Sequence, residues 1–225
     1  MSERRSWDKQ LDALTVEHEP MFPAALMARE ERMIAEVKAA GTADGLRVGE
    51  QAPDFSLEDV GGNIPGGSFT LSRHLRGGIS VLNFYRGQWC VYCSLELRSL
   101  LAIQPTVRRQ GAEIVMISIE PRASAEQLTT RDPTHTPVLH DADGAVARSY
   151  KLMYTIPQEL RSWWLQYDQD LPELNPATGW DLPLPGTFVI DPDRIIRARH
   201  VDMDWRKRWD PRDVRAAVRR VAASQ

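Results

Sequence analysis

The stretch Ile79-Ser80-Val81-Leu82-Asn83-Phe84-Tyr85-Arg86-Gly87-Gln88-Trp89-Cys90-Val91-Tyr92-Cys93-Ser94 holds both cysteines of the chain and decides how the rest is read. Of its first seven residues five are β-branched, aliphatic or aromatic and none carries a charge, as in a strand buried on both faces. From Ser94 onward, Leu95, Leu97, Leu100, Leu101 and Ile103 recur at helical intervals. The cysteines therefore stand where a strand hands over to a helix. At that junction the first free N–H groups and the positive end of the helix dipole favour an anion. A thiolate is such an anion, so the position is expected to depress a thiol pKa and make the sulfur nucleophilic. A Cys-x-x-Cys there suits disulfide exchange: Cys90, exposed at the cap, attacks, and Cys93, one turn along the same face, resolves.

Downstream, Glu113 to Ile119 reads as a second buried strand, Ser124 to Thr130 as a short helix, Thr136 to Leu139 as a brief strand and Gly144 to Tyr150 as a helix. Residues 155–181 break this rhythm with Trp, Pro and acidic residues and read as an insertion. Phe188-Val189-Ile190-Asp191 and Ile195 to His200 form a hairpin through Asp191-Pro192-Asp193-Arg194, and a last helix runs from Pro211 to about Ala222. Upstream, residues 3–40 are helical with a break near Pro20 and Pro23, and Gly41 and Gly45 stop them. Val48 to Leu57 alternates as a strand, and Phe69-Thr70-Leu71 is its hairpin partner across a glycine-rich turn. The order predicts an α/β fold with a small sheet covered on both faces. It comprises an N-terminal helical arm over residues 1–45 and one domain over residues 46–225, with the helical insertion at about 155–181 before the last hairpin. The arm folds over the domain or pairs with a second subunit as a homodimer, and the residues leave both open.

Composition narrows the function classes. With 225 residues, 42% of them hydrophobic, the chain can bury one full core. A formal charge of −3 gives no electrostatic case for nucleic acid. No apolar stretch approaches the roughly 18 residues of a membrane span, and the first residues lack a signal-peptide core. The expected location is the cytoplasm, where two lone cysteines are poor candidates for a structural staple. The histidines His18, His74, His135, His140 and His200 show no ligand spacing, and two cysteines make a poor zinc site, so neither metal nor organic cofactor is expected. Trp163, Trp164 and Trp180 either line a pocket for a bulky organic substrate or anchor the insertion, the commoner use of such clusters. Arg206, Lys207, Arg208, Arg212, Arg215, Arg219 and Arg220, interleaved with Asp202, Asp204, Asp210 and Asp213, read as a solvated, salt-bridged face. Arg86 is a cation that lowers a thiol pKa or partners an acidic substrate, or else an exposed cap on the strand end. Trp89 shields the sulfurs or merely packs, Glu96 favours the dipole's positive end, and Tyr92 either hydrogen-bonds a bound ligand or, as the commoner case, is a solvent-facing spacer.

Three segments carry a resemblance: Gly49-Glu50-Gln51-Ala52-Pro53-Asp54-Phe55, Asn83 through Glu96, and Thr187-Phe188-Val189-Ile190-Asp191. Over roughly residues 46–200 the chain resembles the peroxiredoxin-like branch of the thioredoxin superfamily, related to alkyl hydroperoxide reductase and thiol-specific antioxidant proteins. The resemblance implies a thioredoxin-like fold and a thiol-dependent oxidoreductase, acting on a hydroperoxide or a protein disulfide. It also implies electrons from a thioredoxin- or glutathione-type reductant. By the family's Thr-x-x-Cys with a Glu three residues on, Cys93 would be the peroxidatic cysteine and Glu96 its companion, with Cys90 in place of the threonine. The family's arginine before the Thr/Ser-Phe strand is Pro185 here, ahead of Thr187. Trp89-Cys90-x-x-Cys93 and Pro185 instead match thioredoxin, which implies a cis bond at Leu184-Pro185. A disulfide reductase without peroxidase activity and a redox-sensing binding module are the alternatives.

Overall fold

The computed structural model describes residues 4–18, 20, 22–41, 43–131, 135–167 and 169–224. Two helices, α1 (Arg4–His18) and α2 (Ala24–Ala40), precede the domain. There follow β1 (Ser56–Asp59), β2 (Ser68–Thr70), a short α3 (Leu71–His74), β3 (Ile79–Tyr85), α4 (Val91–Arg109), β4 (Ala112–Ser118), α5 (Arg122–Arg131), β5 (Val138–His140) and α6 (Ala145–Ser149). Then come β6 (Met153–Thr155), α7 (Gln158–Gln166), α8 (Leu171–Leu174), β7 (Asp181–Pro183), β8 (Gly186–Ile190), β9 (Ile196–Val201) and α9 (Pro211–Ala222). Seven strands form one mixed sheet in the order β2-β1-β5-β4-β3-β8-β9, with β3–β4 and β4–β5 parallel and the other pairs antiparallel. This is a thioredoxin-like α/β fold.

The uncharged run before the cysteines becomes β3, near the middle of the sheet and buried at every position. Burial on both faces removes the polar alternation a one-sided strand would need. α4 and α9 cover the sheet, and α9 starts where Asp210 accepts a hydrogen bond from the Arg212 N–H at 2.9 Å, with Pro211 in its first turn. The insertion is closed at its neck by the two-stranded sheet β6–β7, so the chain leaves and re-enters the domain at adjacent points. The arm lies on its own domain. The Trp7 indole N–H donates to the Arg208 carbonyl at 3.3 Å, and Thr15 and Tyr92 share a 2.9 Å hydroxyl bond.

Three expectations change. The strand expected over Val48 to Leu57 is confined to Ser56–Asp59, with a lone bridge from Gln51 to Ile195; Pro53 lacks the N–H a ladder needs. The helix expected from Ser94 begins at Val91, so Cys90 itself is the N-cap. Finally, the Leu184-Pro185 bond is trans, since the described residues contain no cis peptide. Pro185 is a buried link between β7 and β8, two elements that already run in extended conformation, and the trans form is the intrinsically favoured isomer.

Candidate active site

Gly87, at the end of β3, has φ +149°, and a Cβ there would lie 2.3 Å from the Trp89 indole nitrogen. Glycine lets the chain turn sharply and lay the Trp89 ring against its own backbone. The Cys90 N–H reaches back to the Gly87 carbonyl at 3.2 Å, and the Ser94 hydroxyl donates to the Gln88 carbonyl at 2.8 Å. From below, the Gln88 N–H donates to the Glu120 carboxylate at 3.1 Å, and that carboxylate also receives the Tyr85 hydroxyl at 2.6 Å. The turn that presents Cys90 is thus held from both sides.

Neither sulfur lies open to solvent. Cys90 is 6% exposed and Cys93 fully buried, which corrects the expectation of an exposed attacking cysteine. The cover is the arm and the insertion, which a minimal redox domain lacks. Between them a cavity of about 340 Å3 reaches Cys90, with Phe22 and Leu26 on one wall and Trp163, Trp164 and Trp205 on others. Cys93 does not line it. Trp163 and Trp164 of α7 thus serve the cavity. Trp180 lies outside it, under the Arg161 guanidinium 5.3 Å from its ring centroid.

The two thiols are unequal. The Cys93 thiol hydrogen-bonds to Cys90 and holds the Cys90 pKa well below the ordinary thiol range, with the charges of Arg86 and Arg208 adding to the effect against the cost of burial. Burial pushes Cys93 well up, and the neighbouring Cys90 charge pushes it further. The stable arrangement is a Cys90 thiolate accepting from a Cys93 thiol.

Around this pair sit groups that the sequence placed elsewhere. Arg86 is buried, not an exposed strand cap, and its guanidinium carbon lies 4.9, 5.4 and 5.2 Å from the ring centroids of Trp89, Trp164 and Trp205. Arg208, expected on a solvated face, is also buried; it donates to the Cys93 sulfur at 3.4 Å and pairs with Glu96 at 3.0 Å. The expected salt bridges form, Arg206 with Asp204 and Arg212 with Asp210, but Asp204, Arg206 and Arg212 are half-buried and Asp210 is buried, so the face is open to solvent only at Lys207, Arg219 and Arg220. One signal was present, for Trp205 and Trp209 flank Arg208, and tryptophans on both sides are unlike a solvated charge run. Glu96 is buried in the second turn of α4, whose first turn holds no acid, so it does not stand at the dipole's positive end as expected. Burial raises its pKa to about 7, against the pull of Arg208 and of hydrogen bonds involving Asn83 and Thr187. Thr187 accepts from the Asn83 amide at 2.9 Å across the β3–β8 register, beneath the same corner. Tyr92 is buried, with its hydroxyl on the arm, and is no solvent-facing spacer. The described residues contain no cluster of three or more His, Cys, Asp or Glu able to hold a metal ion.

The central β3, the Cys-x-x-Cys on the cap of α4, and β8 with Thr187 opposite Asn83 are matched by the AhpC/TSA family model over residues 48–199 of the 225. The chain belongs to the AhpC/TSA family. It is 32% identical over 108 residues to the thiol-disulfide oxidoreductase ResA of Geobacillus kaustophilus, covering 48% of this chain and 59% of that one. ResA of Oceanobacillus iheyensis is 31% identical over 107 residues, covering 47% and 55%. The match thus spans less than two-thirds of either relative. Among solved structures, the fold is similar to the peroxidoxin BcpB of Mycobacterium tuberculosis, with a TM-score of 0.59, 23% identity and coverage of 78% of this chain and 98% of that one. It is also similar to peroxiredoxin Q of Xanthomonas campestris, with a TM-score of 0.56, 18% identity and coverage of 81% and 94%. At these identities the likeness is one of fold. Residues 1–47, with the arm, lie outside the family match, as do Arg208 and Trp205.

Proposed function

We propose that this member of the AhpC/TSA family is a thiol-disulfide oxidoreductase in which Cys90 attacks and Cys93 resolves. One observation carries the reading: the cavity ends on Cys90, the sulfur held as thiolate, while Cys93 is enclosed and keeps its proton. The names of the two curated relatives support it. The Cys90 thiolate attacks one sulfur of the substrate disulfide, forms a mixed disulfide and expels a thiolate. Cys93 then loses its proton, attacks Cys90 and releases the second half of the substrate, leaving a Cys90–Cys93 disulfide. An external thioredoxin- or glutathione-type dithiol or thiol reductant returns the pair to the reduced state. Arg208 and Glu96 position Cys93 and adjust the charge around it, while Arg86 balances the Cys90 thiolate.

Hydroperoxide reduction through the same Cys90 is the second reading, favoured by the two buried guanidiniums, which would stabilise a departing oxyanion. Assigning the peroxidatic role to Cys93, as the Thr-x-x-Cys alignment implies, finds no support in an enclosed, protonated sulfur. The test is to mix Cys93→Ser and Cys90→Ser variants with an organic disulfide or with hydrogen peroxide and to follow the adducts by mass spectrometry. The expected result is a mixed disulfide accumulating on Cys90 in Cys93→Ser, with Cys90→Ser reacting about 100-fold more slowly. Peroxide should oxidise Cys90 no faster than a free thiol of the same pKa. Faster oxidation than that favours the second reading, and preferential reaction at Cys93 overturns both.

A further inference from the structure

Resting on Cys90 as the attacking sulfur, we propose that the substrate is a small organic disulfide whose half next to Cys90 has an aromatic or bulky apolar body and one acidic group, held by Arg86 at the cavity floor. Arg86 is 2% exposed, yet among the described residues it donates no hydrogen bond and forms no ion pair with a carboxylate, and its Nε is left without a partner. Three indole rings wall it in. Those rings attract a cation through their faces, but they satisfy none of its N–H groups. A guanidinium presents five donors, and a single thiolate leaves most of them unused. Arg86 also lines the cavity that leads to Cys90, so an anion entering there meets a preorganised guanidinium with N–H donors still to be satisfied.

The walls specify the rest of the ligand. Phe22, Leu26, Trp163, Trp164 and Trp205 offer ring faces and apolar surface, and about 340 Å3 matches the lower range of small-molecule sites, too small for a protein surface to enter. Glu30 also lines the cavity from α2 and is engaged in an interaction of its own. Arg86 is the one arginine or lysine among the described residues lining the cavity, which argues for one acidic group over a polyanion. The chemistry closes on the same groups: when Cys90 bonds to the near sulfur, the electron pair of the broken S–S bond leaves on the far sulfur as a thiolate. Attack by Cys93 then expels the near half as a second thiolate, beside Arg86. The external thiol reductant of the proposed cycle supplies the two electrons that regenerate the dithiol.

The test uses the full-length reduced protein. Calorimetry with 2-naphthoate and with 2-naphthamide, neither of which can react with a thiol, measures the acid site alone. Attack rates on 4,4′-dithiodibenzoate and its dimethyl ester, each divided by the rate for a free thiol, measure the same preference in the reaction. We expect naphthoate to bind at least about tenfold more tightly than naphthamide, a difference of about 1.4 kcal/mol, and the diacid to react at least about tenfold faster than the ester after correction. Arg86→Met should abolish both preferences and Arg86→Lys should keep part of them. Trp180→Phe, outside the cavity, should leave them intact. Equal or absent binding of the two naphthyl compounds, with diacid and ester attacked alike, overturns the substrate class and leaves disulfide exchange standing. Naphthoate binding with Cys90 inert to every disulfide overturns the proposal through its premise instead.

Discussion

Glu96 and Arg208 occupy one buried corner beside Cys93, and their charges are interdependent. Glu96 has its pKa raised by burial to about 7, from an ordinary value near 4.5. An acid whose folded pKa is raised adds no penalty below its unfolded pKa, costs stability progressively as pH rises from the unfolded to the folded value, and costs a constant amount above that. Arg208 moderates that cost through the 3.0 Å ion pair. Arg208→Met removes the cation and pushes the Glu96 pKa up further, so at pH 8 the variant keeps a proton that the parent protein has largely lost, a loss of about 1.4 kcal/mol. It should lose much less at pH 5, where Glu96 is neutral. Adding Glu96→Gln to Arg208→Met should remove the Glu96 part of the pH dependence and leave the part that comes from Cys90. Urea denaturation of the three variants at both pH values checks this, and an equal loss at both would remove Glu96 as the cause. The turn ahead of the cysteines makes a second demand at this scale. Gly87→Ala puts a methyl at φ +149° and 2.3 Å from the Trp89 nitrogen. Either Trp89 or the backbone must move, so a loss of about 2 kcal/mol is expected, together with altered Cys90 alkylation kinetics.

At the scale of elements, legibility follows from how local the signal is. β3 was readable because seven uncharged residues, too few for a core helix and rich in β-branched and aromatic types, suit a strand buried on both faces, and it came out at Ile79–Tyr85. α9 was readable from Pro211 after the Asp210 cap and from its apolar spacing. The insertion was readable as an interruption, but its consequence was not. That Trp163 and Trp164 face Cys90 while Trp180 does not depends on how β6–β7 close its neck and how α2 packs on α7. Arg208 was misplaced for the same reason. Its charge neighbours in sequence point to solvent, whereas its burial comes from α1 and α4, on which Trp7 and Glu96 lie. Cys90 was given the right element and the wrong exposure, because the cap is intrinsic to the βα turn and the cover comes from residues more than 60 positions away.

At the scale of the whole molecule, the inequality of the two sulfurs links redox state to stability, and the sign can be worked out. In the unfolded chain both thiols titrate near pH ~8.5. Folding depresses Cys90, which contributes stability that is complete above that pH and lost as pH falls through its folded pKa. Folding raises Cys93, which costs nothing below pH ~8.5 and costs stability above it, where the unfolded chain ionises and the folded protein cannot. In the Cys90–Cys93 disulfide neither sulfur titrates. The stability of the reduced protein relative to the oxidised one should therefore climb by about 1.4 kcal/mol per pH unit between the folded Cys90 pKa and pH ~8.5, then decline. Reduced Cys93→Ser, which can form no disulfide, should show the climb in its own stability without the declining limb, and Arg208→Met should start the climb at higher pH, since a cation that lowers the Cys90 pKa is gone. Denaturant titrations of both redox forms across this range test the linkage. A flat difference would mean that the fold does not distinguish the two sulfurs. A maximum near pH ~8.5 would mean that stabilisation of one thiolate makes the disulfide easier to reduce, since whatever stabilises the reduced form raises the reduction potential of the pair.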